Sequence, residues 1–310
     1  MQPLDSAKLD LDVDIVEFCP QTGLHNILAV GTYKLIEEPY SRVGQLHLFS
    51  VSEAFSEPRR SVLTENLTHE TTAIFDLKWA PAKEGRSEKA LLAQAGTDGN
   101  VAIYSVSITV PVSDTIVSPD LNTPEQVELE SMALIPCTTE GLCTSVDWSQ
   151  PEQFGGQLLA TSTSAREILV VDMDAPGGAV PLLTIEEAHE LEVWMVVFDR
   201  WHSDLLFSGA DDCTFKGWDL RQGCDDPALD VRFSNRKAHG AGVCCIAPSP
   251  MSEYVVATGS YDGFVRLWDT RSERRDWQAQ KQKWAGICVP DTGVKRTKGG
   301  LRVTRREHFF

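Results

Sequence analysis

The 310-residue chain has no run of roughly 18 apolar residues, the length a helix needs to cross a bilayer, so no membrane partner is expected. Its opening, MQPLDSAKLDLDVD, is acidic and lacks the apolar core of a secretory signal, which points to a cytoplasmic location. The 8 cysteines stand singly or as the pair Cys244-Cys245, with no Cys-x2-Cys spacing. That argues against zinc sites and disulfide frameworks, and no metal ligand is assigned. Catalytic signatures are scarce as well. No Gly-x-Ser-x-Gly elbow occurs, because Gly259-Ser260-Tyr261-Asp262-Gly263 has its serine one place early. His189-Glu190 begins a His-Glu-x-x-His motif that is never completed, and Gly240-Ala241-Gly242 lacks the third glycine of a dinucleotide loop. No cofactor is expected.

Positive charge is short too. Lysine and arginine number 28 against 45 aspartates and glutamates, a net charge of −17. Residues 271–310 hold 11 of the basic and 4 of the acidic residues, net +7, which leaves 17 against 41, net −24, for residues 1–270. A body that acidic repels a phosphate backbone, so no nucleic-acid partner is expected.

What the chain does have is self-similarity. Residues 188–221 and 238–271 both open with Ala-His and close with Trp-Asp-x-Arg, and they start 50 residues apart. In each the Trp follows an Asp by six residues (Asp212 to Trp218, Asp262 to Trp268) and the His by 29 (His189, His239). A fixed period with a Trp-Asp ending marks the blades of a WD-type β-propeller. The sets His189, Ser208, Asp212, Trp218 and His239, Thr258, Asp262, Trp268 then form hydrogen-bonded tetrads that satisfy buried polar groups. The same His, Ser and Asp would suggest a hydrolase triad if the repeat spacing were ignored.

Fainter copies precede these. Residues 73–81 and 90–106 repeat the layout with Asp98 six residues before Tyr104, and 141–150 with 157–173 place Ser164 in the turn and Val170 in the Trp slot. Residues 14–20, 27–33 and 44–51 make a first, divergent copy. The expected fold is all-β, a WD40-type propeller with five recognisable blades at about 12–52, 72–106, 141–173, 188–221 and 238–271. The polar segments 53–71 and 107–131 are expected to be surface insertions. After Arg271 the strand alternation stops, so 272–310 is expected to be a basic irregular tail or docking segment. The closing blades of the ring are expected to be missing.

Several stretches also carry a family resemblance. They are His189 to Trp194, Phe198-Asp199-Arg200-Trp201-His202, Ser208 to Asp212 and Gly217-Trp218-Asp219, with Gly31-Thr32-Tyr33 near the start. Over roughly 12–271 these resemble diphthine methylesterase, the WD-repeat family of diphthamide biosynthesis older-named diphthine methyltransferase. The resemblance implies hydrolysis of the methyl ester of methylated diphthine on elongation factor 2, a protein substrate, without cofactor. The substrate's trimethylammonium group suits an acidic, Trp-containing protein. No family motif assigns the catalytic residues. His202 and Asp211 are candidates because neither belongs to a tetrad, with Glu192 and Trp194 as candidate substrate contacts on the same face. The alternatives are a loop histidine bonded to its own turn, a solvated turn aspartate and a core tryptophan. A second function class stays open: Arg221 and Arg271, in Trp-Asp-x-Arg, resemble the docking element of WD receptors that bind the adaptor of cullin-type ubiquitin ligases.

Overall fold

The computed structural model describes residues 3–52, 62–82, 89–109, 126–150, 157–202, 204–221 and 231–271, and the backbone of 295–297 and 300–302. No helix occurs among them. The chain divides into two compact units, Met1–Thr163 with Leu169–Leu182, and Ser164–Ile168 with Leu183–Phe310.

The first unit is built from antiparallel meanders in which sequence neighbours pair. Strands β1 (Asp12–Phe18), β2 (Ile27–Ile36), β3 (Ser41–Val51) and β4 (Leu63–Thr72) form one sheet in that order. The next holds β5 (Ile74–Trp79), β6 (Lys89–Gly96), β7 (Asn100–Thr109) and β8 (Gln126–Pro136). A third holds β9 (Cys143–Trp148), β10 (Leu158–Thr163), β11 (Ile168–Asp172) and β12 (Val180–Ile185). Ile27, Leu46, Leu48, Ile74, Leu77 and Leu92 are sealed together between the first two sheets. Ile103, Val146, Trp148, Leu159 and Val171 pack between the second and third. First strands are laced by indole donors: Trp79 Nε1 donates to Glu17 O (3.1 Å) and Trp148 Nε1 to Lys78 O (2.9 Å).

The second unit carries the two clear repeats. Strands β13 (Val193–Phe198), β14 (Leu205–Ala210), β15 (Phe215–Asp219) and β16 (Val231–Asn235) form a four-stranded sheet. Strands β17 (Val243–Pro248), β18 (Val255–Ser260) and β19 (Val265–Asp269) form a three-stranded one. Phe207, Phe215, Phe233, Val243 and Trp268 make their shared core. Gly217 is required there, since a Cβ on it would lie 2.2 Å from the Phe233 ring.

Register explains the spacing seen in the sequence. Tyr104 pairs with Leu92, Trp218 with Leu206 and Trp268 with Val256, always ten residues beyond a polar slot filled by Gln94, Ser208 or Thr258. The blade bounds need correcting, however. β4 lies in 62–72 and β8 in 126–136, so the described parts of the two expected insertions contain the fourth strands of their sheets. Residues 53–61 and 110–125 of those segments lie outside the described residues. In the tail, Lys295–Thr297 pairs antiparallel with Gly300–Arg302, and the rest of 272–310 lies outside the described residues.

Candidate functional site

Four residues of the fourth sheet form one hydrogen-bonded chain. Asp212 meets His189 Nδ1 at 3.1–3.2 Å, His189 Nε2 meets Ser208 Oγ at 2.7 Å, and Trp218 Nε1 donates to the same Oγ at 2.8 Å. Burial alone would raise the Asp212 pKa. Hydrogen bonds from His189 and from the backbone N–H of Glu190 and Thr214 overcome it and hold the carboxyl well below the usual carboxylate range. The His189 pKa is lowered, chiefly by burial. With every polar group occupied inside the sheet, this His–Ser–Asp set is a structural staple.

The fifth sheet keeps only part of the set, which corrects the second expected tetrad. His239 Nε2 meets Thr258 Oγ1 at 2.9 Å and Trp268 Nε1 donates to that hydroxyl at 2.8 Å. Asp262 does not meet His239. Arg266 takes both of its oxygens (3.1 and 2.7 Å), and His239 Nδ1 is buried without a hydrogen-bond partner. A guanidinium fork matches a carboxylate edge-on, which explains why it displaces a single imidazole N–H.

His202 lies in the β13–β14 connection. Asp199, 1% exposed, accepts from the backbone N–H of Trp201 (2.8 Å) and His202 (2.7 Å) and lies 3.1 Å from His202 Nδ1. His202 Nε2 is 3.3 Å from Glu253 Oε1, and its ring lies 5.5 Å from that of Tyr254. Leu205, Arg232, Tyr254, Thr270 and Arg271 join it around a recess of about 320 Å³. An imidazole held by a buried carboxylate at one nitrogen, with the other beside an exposed carboxylate at the edge of a recess, is an arrangement suited to moving a proton.

Asp211 sits elsewhere. It follows β14 at the opposite end of the strand from His202, roughly 20 Å away at the strand rise of about 3.3 Å per residue. Its N–H donates to Glu192 O (2.9 Å), and Trp194 Nε1 donates to its Oδ1 (3.4 Å). Asp211, Glu192 and Trp194 therefore gather at one end of the sheet and His202 at the other. The four expected catalytic and substrate-contact residues do not form one site. The residues that do surround His202, namely Asp199, Glu253, Tyr254, Arg232 and Thr270, were not singled out from sequence. One signal for Asp199 was available. It aligns at the 50-residue period with Ser249, which caps the matching turn through Met251 and Ser252 N–H.

Arg221 and Arg271 are both exposed. Arg221 is tied to Asp219 and, at 2.6 Å, to Asp204; Arg271 is tied to Asp269 and lies over the Tyr254 ring. Each thus pairs within its own sheet, with the Asp of its own Trp-Asp. In the first unit Asp76 is enclosed, accepting from Val146 N–H at 3.1 Å, with Lys78 and Glu17 3.6 Å apart beside it. Burial pushes the Asp76 carboxyl up to about 7. Among the described residues no three His, Cys, Asp or Glu side chains are grouped to hold a metal, and no helix is long and apolar enough to cross a membrane.

Repeated antiparallel meanders with a Trp-Asp close and a His–Ser–Trp staple define an all-β WD-repeat protein of the WD40-type propeller class. The family described as WD domain, G-beta repeat matches residues 232–269. Over most of its length the chain is a homologue of proteins named diphthine methyltransferase. It is 30% identical to that of Mus musculus over 89% of this chain and 56% of the mouse protein. It is 30% identical to that of Homo sapiens over 88% of this chain and 59% of the human protein. The Dictyostelium discoideum homolog is 28% identical over 85% of this chain and 70% of that protein. The chain thus spans little more than half the length of the mouse and human relatives. A shorter likeness, 34% over 28% of this chain and 12% of the relative, is to E3 ubiquitin-protein ligase COP1 of Arabidopsis thaliana.

Proposed function

We propose that the chain acts in diphthamide biosynthesis by hydrolysing the methyl ester of methylated diphthine on elongation factor 2, in the cytoplasm. The observation that carries the substrate is the likeness, over 88–89% of the chain, to proteins named for diphthine. The Asp199–His202 pair supports the reaction type. With an Nδ1 proton donated to Asp199, Nε2 is the basic nitrogen and takes a proton from water as the water oxygen attacks the ester carbonyl carbon. The tetrahedral intermediate then breaks its bond to the methoxy oxygen, which leaves as methanol with the imidazolium proton. The Tyr254 ring and the Glu253 carboxylate flank the recess and suit the trimethylammonium group.

This chemistry runs on water and side chains, so chelators leave turnover unchanged. Methanol release from methylated elongation factor 2 is the direct measurement. His202→Ala lowers kcat/KM by about two to four orders of magnitude with the fold retained. A well-folded chain that binds the factor and releases no methanol overturns the proposal.

The likeness to the ubiquitin ligase supports a second reading, a receptor that docks a ligase adaptor through Arg221 and Arg271. Both guanidinium groups are held by Asp219 and Asp269, which favours a turn-fixing role for them. Adaptor capture that Arg221→Ala and Arg271→Ala abolish, with no methanol release, selects this reading instead.

A further inference from the structure

The lining of the His202 recess has a sign. It is lined by two guanidinium groups and a hydroxyl, from Arg232, Arg271 and Thr270, and the carboxylate beside it, Glu253, is turned to His202 Nε2 at 3.3 Å. Arg271 is committed to Asp269. Arg232, on exposed strand β16, makes no hydrogen bond among the described residues. The carboxylate near it, Asp219, is already gripped by Arg221 at 2.9 Å. Thr270 is only 6% exposed, and its Oγ1 has no hydrogen-bond partner among the described residues although its backbone N–H is held by Tyr254 O at 2.9 Å. A buried hydroxyl left unsatisfied is costly, and Thr270 lines the recess. An uncommitted guanidinium and an uncommitted hydroxyl that line the same recess as an imidazole ask for the same ligand: an anionic oxygen.

We propose that Arg232 and Thr270 form an oxyanion subsite, which binds the carbonyl oxygen of the scissile ester as it becomes negative and afterwards the product carboxylate. The identity of the ester rests on the hydrolase reading above; the preference for an anionic oxygen rests on the lining alone. In the reaction the water oxygen bonds to the carbonyl carbon while its proton goes to His202. The carbonyl electron pair moves onto the oxygen held by Arg232 and Thr270, and returns as the methoxy bond breaks. Interactions that strengthen as the oxygen gains charge raise kcat more than they lower KM.

The test is titration of the full chain with methylphosphonate, a tetrahedral anion, followed by phosphorus NMR. The parent binds it. Arg232→Gln weakens binding by about tenfold or more, and Thr270→Val by about fivefold, the usual effects of losing one charged and one neutral hydrogen bond. Thr270→Ser, which keeps the hydroxyl, binds as the parent does, and so does Asp211→Asn at the far end of the sheet. Absence of binding, or equal affinity in parent, Arg232→Gln and Thr270→Val, overturns the subsite. Anion binding with this variant pattern but no methanol release leaves the subsite standing and removes the hydrolase reading. Methanol release unchanged in Arg232→Gln and Thr270→Val does the reverse.

Discussion

The fourth and fifth sheets share a period, a register and two of three staple contacts, yet their aspartates have different partners. In the fourth sheet Asp212 holds His189; in the fifth Asp262 holds Arg266 and leaves His239 Nδ1 empty. The residue responsible sits two places before the Trp. In the fourth sheet it is Lys216, whose Nζ donates to Ala188 O at 2.6 Å, and in the fifth it is Arg266. A lysine is a point charge that one carbonyl satisfies, whereas an arginine fork seeks a carboxylate. Among the described residues the fourth sheet also carries a fourth strand whose Phe233 covers Gly217, while Leu267 stands in the Gly217 slot of the fifth and Val265 is 71% exposed. Repeats with the same signature can therefore differ in which partner their turn aspartate holds.

The indoles test what the two sheets still share. Trp218 and Trp268 are 3% and 2% exposed and both donate to the slot hydroxyl. Either Trp→Ala substitution empties a large aromatic site and lowers unfolding free energy by about 3–5 kcal/mol in urea titration. If Trp268→Ala costs under about 1 kcal/mol, the fifth sheet is not packed as the fourth is.

The aspartates test where they diverge. Asp212→Asn disturbs a buried carboxylate–imidazole hydrogen bond and two backbone hydrogen bonds, and is expected to cost about 3 kcal/mol. Asp262→Asn leaves a partly exposed guanidinium that water can reach, and is expected to cost about 1 kcal/mol. Equal costs at both positions would mean that the swapped partner makes no energetic difference.

Some of this was open to reading from the chain and some was not. The slots at 208/258, 212/262 and 218/268 follow from a two-residue pleat interrupted by a fixed tight turn. Cys213 and Gly263 both take left-handed backbone there, at φ 65° and 80°. Such spacing survives in the sequence because shifting it by one residue turns every side chain to the other face. The fourth strands were hidden for a physical reason. In β16 only Phe233 is buried, and β8 buries only Val127 and Ile135, so apolar alternation is diluted to the level of a loop. The recess was harder still. Asp199 and His202 are three apart and readable together, but Arg232, Glu253–Tyr254 and Thr270 come from β16 and from the ends of the fifth sheet's strands. Lateral packing between sheets joins them, and no period in the chain encodes it. The preference of Asp262 for Arg266 was masked because lysine and arginine look interchangeable in a repeat alignment.

Arg266→Lys puts the fourth sheet's residue into the fifth and gives the smallest effect. At pH 7 it should change stability by less than about 1 kcal/mol, because the pair it removes is partly exposed. The signal lies in acid. Burial, then the charge of Arg266, lowers the His239 pKa from 6.5 to about 4 in the folded state. Between those values the unfolded chain binds more protons than the folded one. The His239 contribution is therefore whole above about pH 6.5 and is lost as pH falls toward 4. His189, also lowered, acts in the same sense, whereas Asp76, raised to about 7, acts in the opposite one, so the useful quantity is the difference between variant and parent. With lysine at 266, Asp262 is released to meet His239 Nδ1, the folded-state pKa climbs back toward 6.5, and the loss of stability from pH 7 to 5 becomes shallower. Ring titration of His239 by NMR, with urea midpoints at both pH values, reads both changes. A His239 pKa that stays near 4 in the variant would show that burial alone sets it, and that the two sheets differ for some reason other than the lysine-to-arginine exchange.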